Sequence, residues 1–168
     1  MLKINAKAPT FNLDSTNRET YSLKDSKGKY VVLYFYPKDD TPGCTIETND
    51  FNKLLTKFKK LNCEVYGVSK DDLKSHNKFK EKYKIKFDLL ADDELNVLKS
   101  YKVWVKKKFM GREFMGVVRS TFLIDPKSKI IRIWDNVKVK DHAKEVLDTL
   151  SNIKNRKKTP IKGSITPD

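Results

Sequence analysis

The sequence predicts an α/β fold in which a central mixed β-sheet is flanked by helices, and three observations lead there. Strand-like and helix-like segments alternate through the first part of the chain, two apolar runs joined by a turn signal follow, and an amphipathic helical pattern closes the series. The 168 residues suffice for one domain that buries roughly two-thirds of its unfolded surface.

Tyr30 to Tyr36, "YVVLYFY", is short, β-branched and aromatic, which predicts a strand buried on both faces. After the loop, Ile46, Phe51, Leu54, Leu55, Phe58 and Leu61 recur at helical spacing and predict a helix ending near Leu61. "CEVYGVS", Cys63 to Ser69, predicts the next strand. Leu73, His76, Phe79 and Tyr83 predict a helix capped by Asp71 or Asp72. "FDLLAD" suits a short strand and Asp93 to Tyr101 a short helix. "GVVRSTFLID", then "PKSK", then "IIRIW" predict a hairpin whose turn starts at Asp125-Pro126. Ala143, Val146, Leu147, Leu150 and Ile153 predict the closing helix. One domain is expected over residues 1–153, and residues 154–168, polar and basic with two prolines, are expected to be a mobile tail.

Two cysteines, Cys44 and Cys63, are too few for a disulfide framework, and no Cys-x-x-Cys pair suggests zinc or a dithiol centre. No segment approaches the ~18 apolar residues of a membrane span, and the amino terminus lacks a signal-peptide core. The expectation is an intracellular, cytoplasmic protein without a membrane partner, a monomer or weak homodimer, with nuclear import through the basic tail as the alternative place. Lys and Arg number 36 against 22 acids, a net charge of +14 that draws polyanions without sequence preference. Two explanations stand: compositional drift toward lysine, isoleucine and asparagine, or nucleic-acid association through Lys154, Arg156, Lys157, Lys158 and Lys162. Lys99 to Arg112, cationic and interrupted by Trp104 and Phe109, is read as a solvated loop. His76 and His142 stand alone, at a helix surface or helix start, so no metal site is predicted.

Chemistry points to "PKDDTPGCTIE", residues 37–47. With Thr41 as N-cap, Pro42 falls at the first helical position, where its fixed φ suits the turn and its missing N–H is not needed. Cys44 then lies in the first turn, where free backbone N–H groups and the positive end of the helix dipole favour thiolate over thiol. Gly43 lets a ligand come close to the backbone, and Thr41 adds a hydroxyl. The competing reading is an ordinary capped helix whose cysteine packs in the core. Arg119 interrupts an otherwise strand-like apolar run, and a guanidinium there is costly unless an anion meets it. That anion is the Cys44 thiolate, Glu47 or both; the alternatives are a plain ion pair or an edge strand with Arg119 facing water.

Pro37-x-x-x-Thr41-x-x-Cys44 resembles the peroxidatic motif of peroxiredoxins, and "KDDTPGCT" with "GVVRSTFLID" is similar to their bacterioferritin-comigratory, or PrxQ-type, branch. The likeness runs from about Ala8 to Leu150. It implies a thioredoxin-like fold and reduction of hydrogen peroxide and organic hydroperoxides, with no metal or organic cofactor. By the same resemblance Cys44 would be the nucleophile, Thr41 would hydrogen-bond the peroxide, and Arg119 would stabilise thiolate and transition state. Pro37 would shield the cysteine, and Glu47 would orient Arg119. Many relatives of this type carry a resolving cysteine five residues after the first; here that position is Asn49. Cys63 lies beyond a helix of about 18 residues, ~25 Å or more away, too far for a disulfide without extensive unfolding. A one-cysteine enzyme is expected, with Cys63 a structural thiol and an outside thiol (thioredoxin, glutaredoxin or glutathione) as reductant.

Overall fold

The computed structural model describes residues 2–158. In chain order the strands are β1 (Leu13–Ser15), β2 (Arg18–Tyr21), β3 (Tyr30–Phe35), β4 (Cys63–Ser69), β5 (Asp88–Ala91), β6 (Trp104–Phe109), β7 (Arg112–Val117), β8 (Ser120–Ile124) and β9 (Ile130–Trp134). The helices are α1 (Pro42–Lys60), α2 (Leu73–Tyr83), α3 (Asn96–Ser100) and α4 (His142–Lys158). Seven strands form one sheet in the order β2-β1-β5-β4-β3-β8-β9, while β6 and β7 pair apart from it. β3, β4 and β5 run parallel and the other neighbours antiparallel, which is the mixed sheet expected.

β3 sits inside the sheet because it is apolar on both faces. Tyr30, Val32, Tyr34 and Tyr36 join one core cluster with Phe51, Leu55 and Phe58 of α1 and Val146 and Leu150 of α4. Val31, Leu33 and Phe35 alternate into a second cluster with Leu98 of α3, Tyr101 and Tyr21. The period of two explains the burial of every residue in the strand. Gly67 in β4 is required where it stands, since a Cβ there would lie 2.7 Å from the Tyr34 ring.

Several expectations need correction. No strand is predicted before Tyr30, yet the short β1–β2 hairpin extends the sheet beyond β5. The Lys99 to Arg112 segment is not a loop: it holds the end of α3, all of β6 and the start of β7, turning at Met110 and Gly111, both at positive φ. Ile46, assigned to the buried stripe of α1, is 49% exposed. The last helix also runs past Ile153 to Lys158. Lys154 is therefore no part of a free tail: its Nζ donates to the Leu61 carbonyl at 2.6 Å and lies 5.2 Å over the Tyr30 ring. Lys162 and the rest of the predicted tail, residues 159–168, lie outside the described residues. No helix among the described residues is long and apolar enough to cross a membrane.

Candidate active site

Cys44 is the third residue of α1, directly after N-cap Thr41, Pro42 and Gly43. Here the sequence dictates the local structure: Thr41 is extended, with φ −93° and ψ 157°, and proline opens the helix. The thiol is 1% exposed, so the core-packing alternative is half right about its burial. It is wrong about its company. Arg119 donates from Nη2 to Cys44 Sγ at 3.3 Å and from Nη1 to Glu47 Oε1 at 2.6 Å. One planar fork thus meets both side chains that the sequence offered as alternatives.

Arg119 is not within a strand. The run that suggested one continuous strand breaks at Val118-Arg119, between β7 and β8. Leaving the ladder there frees the arginine to cross to the start of α1. Gly43 permits the crossing, because a Cβ on it would stand 3.1 Å from Arg119 Nη2. The sequence assigned Gly43 to ligand approach; the close approach observed is that of the guanidinium.

Glu47 lies one helical turn after Cys44, so both face the same side. Its carboxyl is buried, with Oε2 lacking a hydrogen-bond partner among the described residues. Burial pushes it up to about 7, against the pull of Arg119. Arg119 is held above its ordinary value by Glu47 and Cys44, despite its own burial. The neighbouring phenol of Tyr34, 2.8 Å from Thr48 Oγ1, is pushed well up by burial and stays neutral. Thr41 is half-buried, its hydroxyl donating to the Lys38 carbonyl at 2.8 Å. Pro37 opens the loop to α1, its carbonyl accepting from Lys70 Nζ at 3.3 Å. The structure thus brings Cys44, Glu47 and Arg119 into contact and sets Thr41 and Pro37 on the connecting loop.

The other cysteine is different. Cys63 starts β4, opposite Tyr30, at the far end of the sheet strand that leads to Cys44. Both thiols are free, and burial pushes the Cys63 thiol strongly up.

Both histidines stand in the first turn of a helix, as one of the two readings had it, but neither lies at the surface. His142 is buried, with Nε2 2.8 Å from Thr121 Oγ1, and burial lowers it to about 4. His76 is fully buried and 2.7 Å from Asp39. Together with Asp71 these could pass for metal ligands, but the facing atoms are engaged in hydrogen bonds with one another and with their neighbours. The sequence signal for this cluster was present: two acids directly before Thr41 and a Ser-His pair in the first turn of the next helix.

A buried thiol facing fixed donors at a helix start has the arrangement that a thiol-dependent peroxidase needs, and Cys63, the other cysteine of the sequence, does not stand beside it as dithiol exchange would require. The chain belongs to the AhpC/TSA family, whose sequence pattern matches residues 4–133. It is 49% identical over 152 residues to peroxiredoxin Bcp of Bacillus subtilis, covering 90% of this chain and 97% of that one. A cysteine mutant of Xylella fastidiosa PrxQ superimposes with a TM-score of 0.87 at 36% identity, covering 92% of this chain and 98% of the other. The bacterioferritin comigratory protein of Xanthomonas campestris, described for its alkyl peroxide reduction activity, gives 0.82 at 37%, covering 85% and 91%. The thioredoxin-like fold and the peroxidase reading are thereby established, and the matches favour them over the nucleic-acid alternative.

Proposed function

We propose that Cys44 is the peroxidatic nucleophile and that Arg119, Glu47, Thr41 and Pro37 form its site. The observation that carries this is the Arg119 fork, which meets Sγ and Glu47 at once. The Cys44 thiolate attacks the terminal oxygen of a hydroperoxide; the S–O bond forms, the O–O bond breaks, and the alkoxide or hydroxide takes a proton and leaves as alcohol or water. The product is Cys44 sulfenic acid. Charge moves from sulfur to the leaving oxygen during this step. Arg119 and the first-turn N–H groups of α1 are donors held in place before charge develops, the arrangement that lowers such barriers most, and the Thr41 hydroxyl, whose own proton goes to the Lys38 carbonyl, offers the peroxide O–H an acceptor. Pro37 keeps water from the site. Alkyl hydroperoxides are included as substrates by likeness to the Xanthomonas protein.

Recycling uses an outside thiol: it condenses with the sulfenic acid to a mixed disulfide and water, and a second thiol releases Cys44. Thioredoxin, glutaredoxin and glutathione all fit this chemistry. Asn49 stands where a resolving cysteine would be, and Cys63 is buried at the other end of β3 and β4. The test is peroxidase turnover with each thiol donor in Cys44→Ser and Cys63→Ser. Activity should vanish in the first and persist in the second; equal loss in both would overturn the one-cysteine cycle.

A further inference from the structure

Between Pro37 and Thr41 lie two acids to which the peroxidatic motif assigns nothing, and the structure spends many hydrogen bonds on them. Asp39 is buried at 8% exposure. Its N–H donates to Asp71 Oδ2 at 2.8 Å, and Asp71 is held in turn by Ser69 Oγ at 2.7 Å. Its Oδ1 accepts from Tyr36 OH at 2.6 Å. Its Oδ2 faces Ser75 Oγ at 2.8 Å and His76 Nδ1 at 2.7 Å. On the far side of the ring, His76 Nε2 lies 2.9 Å from the Leu90 carbonyl. A carbonyl only accepts, so Nε2 carries a proton, and a second proton lies between Nδ1 and Oδ2.

Asp40 adds an outer anchor. It sits at φ +58°, in the left-handed region that aspartate enters more readily than most non-glycine residues. Lys82 Nζ and Tyr83 OH, both at the end of α2, bind its carboxylate at 2.8 and 2.7 Å. The whole loop is thus fastened to α2 and to the turn before it. Burying a carboxylate and an imidazole is expensive where apolar side chains of similar size would fill the space.

We propose that Asp39 is a positioning residue for peroxide reduction: its buried link to His76 clamps the β3–α1 loop onto α2 and so fixes Thr41, two residues on, relative to Cys44. Donors that stabilise a developing charge are effective only if held in advance, and that requires a supporting shell behind them. The clamp supplies it from outside the Arg119–Glu47 pair. It predicts that loosening Asp39 harms the reaction that uses Thr41 and spares a reaction that needs only the thiolate.

This rests on Cys44 as the peroxide-reducing thiol, and the experiment separates the two claims. Cys44 oxidation by hydrogen peroxide and Cys44 alkylation by iodoacetamide are followed in wild type, Asp39→Ala, Asp39→Asn, His76→Gln and Ser75→Ala, each checked for folding by circular dichroism. Asp39→Ala should oxidise about 10- to 100-fold more slowly, the scale of a small misplacement of a reacting group. Alkylation should stay within about twofold, since a carbon electrophile reads thiolate and access but not the peroxide donors. Asp39→Asn, which keeps acceptors for Tyr36 and Ser75, should recover part of the rate. In a Thr41→Val background Asp39→Ala should add nothing further.

Parallel loss of oxidation and alkylation, or a full additional loss on top of Thr41→Val, would show a structural role only and overturn the proposal. If Asp39→Ala does not fold, His76→Gln and Ser75→Ala carry the same comparison. Both oxidising at the wild-type rate would overturn it as well. A wild type no faster than free cysteine would instead remove the peroxidase assignment of Cys44, which leaves the clamp without a reaction to serve.

Discussion

Replacing Arg119 by methionine removes the guanidinium while keeping most of its apolar stem. Unit charges 3.3 Å apart attract by about 5 kcal/mol at an effective dielectric of about 20. Arg119 is 16% exposed, and part of that attraction is screened by solvent. Removal of a single fixed donor from comparable sites costs about 3–4 kcal/mol, or 10²–10³ in rate. Arg119→Met should therefore lower the second-order rate of Cys44 oxidation, measured by stopped flow, about 10²–10³-fold. Stability should suffer less. Glu47 loses its counter-cation, rises further and stays neutral near pH 7, so no uncompensated carboxylate remains buried. A thermal melt separates the two effects. A folded Arg119→Met protein oxidised within threefold of wild type would refute the claim that this fork stabilises thiolate and transition state.

Two further substitutions probe the same contact. Glu47 holds its proton up to about pH 7, against an ordinary value of 4.5. Below pH 4.5 it is protonated in both folded and unfolded chains, and between 4.5 and 7 only the unfolded chain releases the proton, so its contribution to stability falls as pH rises through that window. The loss should reach about 3 kcal/mol and then level off, and Glu47→Gln should abolish it; parallel urea-denaturation profiles for the two proteins from pH 5 to 7.5 would contradict this. Gly43→Ala places a Cβ 3.1 Å from Arg119 Nη2, which pushes the guanidinium off by a few tenths of an ångström. Oxidation should slow by about tenfold while melting temperature holds or rises, alanine being the better helix former by about 1 kcal/mol; an unchanged rate would mean that Arg119 has slack.

Much of this site was legible because its signals are local. Thr41-Pro42-Gly43 punctuates the chain where β3 becomes α1, and Cys44 follows in the only turn of the helix with free N–H groups. The unbroken apolar run Tyr30 to Phe35 and the apolar spacing at Phe51, Leu55 and Phe58 gave the central strand and its covering helix. The β6–β7 hairpin escaped notice for a physical reason. Lysines at 106, 107 and 108 hide the alternation, and the turn uses Met110 rather than Asn or Asp where φ is 52°. The burial of His76 and His142 depends on residues 37 and 21 positions away, which no helical periodicity encodes. Lys154 looked like the start of a solvated tail by composition, yet its Nζ reaches the Tyr30 ring and the Leu61 carbonyl, residues far away in sequence. Arg119 drew attention as a charge in an apolar run, but only the fold decides that it serves both Cys44 and Glu47.

The most direct measurement is the second-order rate constant for oxidation of the wild-type protein by hydrogen peroxide, with the product located by a sulfenic-acid probe and intact-mass spectrometry. A sulfur held against the opening turn of α1 by the Arg119 fork should react more than about a thousandfold faster than free cysteine, on the scale set by fixed donors of this kind. The label should appear on Cys44 and leave Cys63 untouched. Oxidation at the pace of an ordinary thiol, or label divided between the two cysteines, would contradict the account.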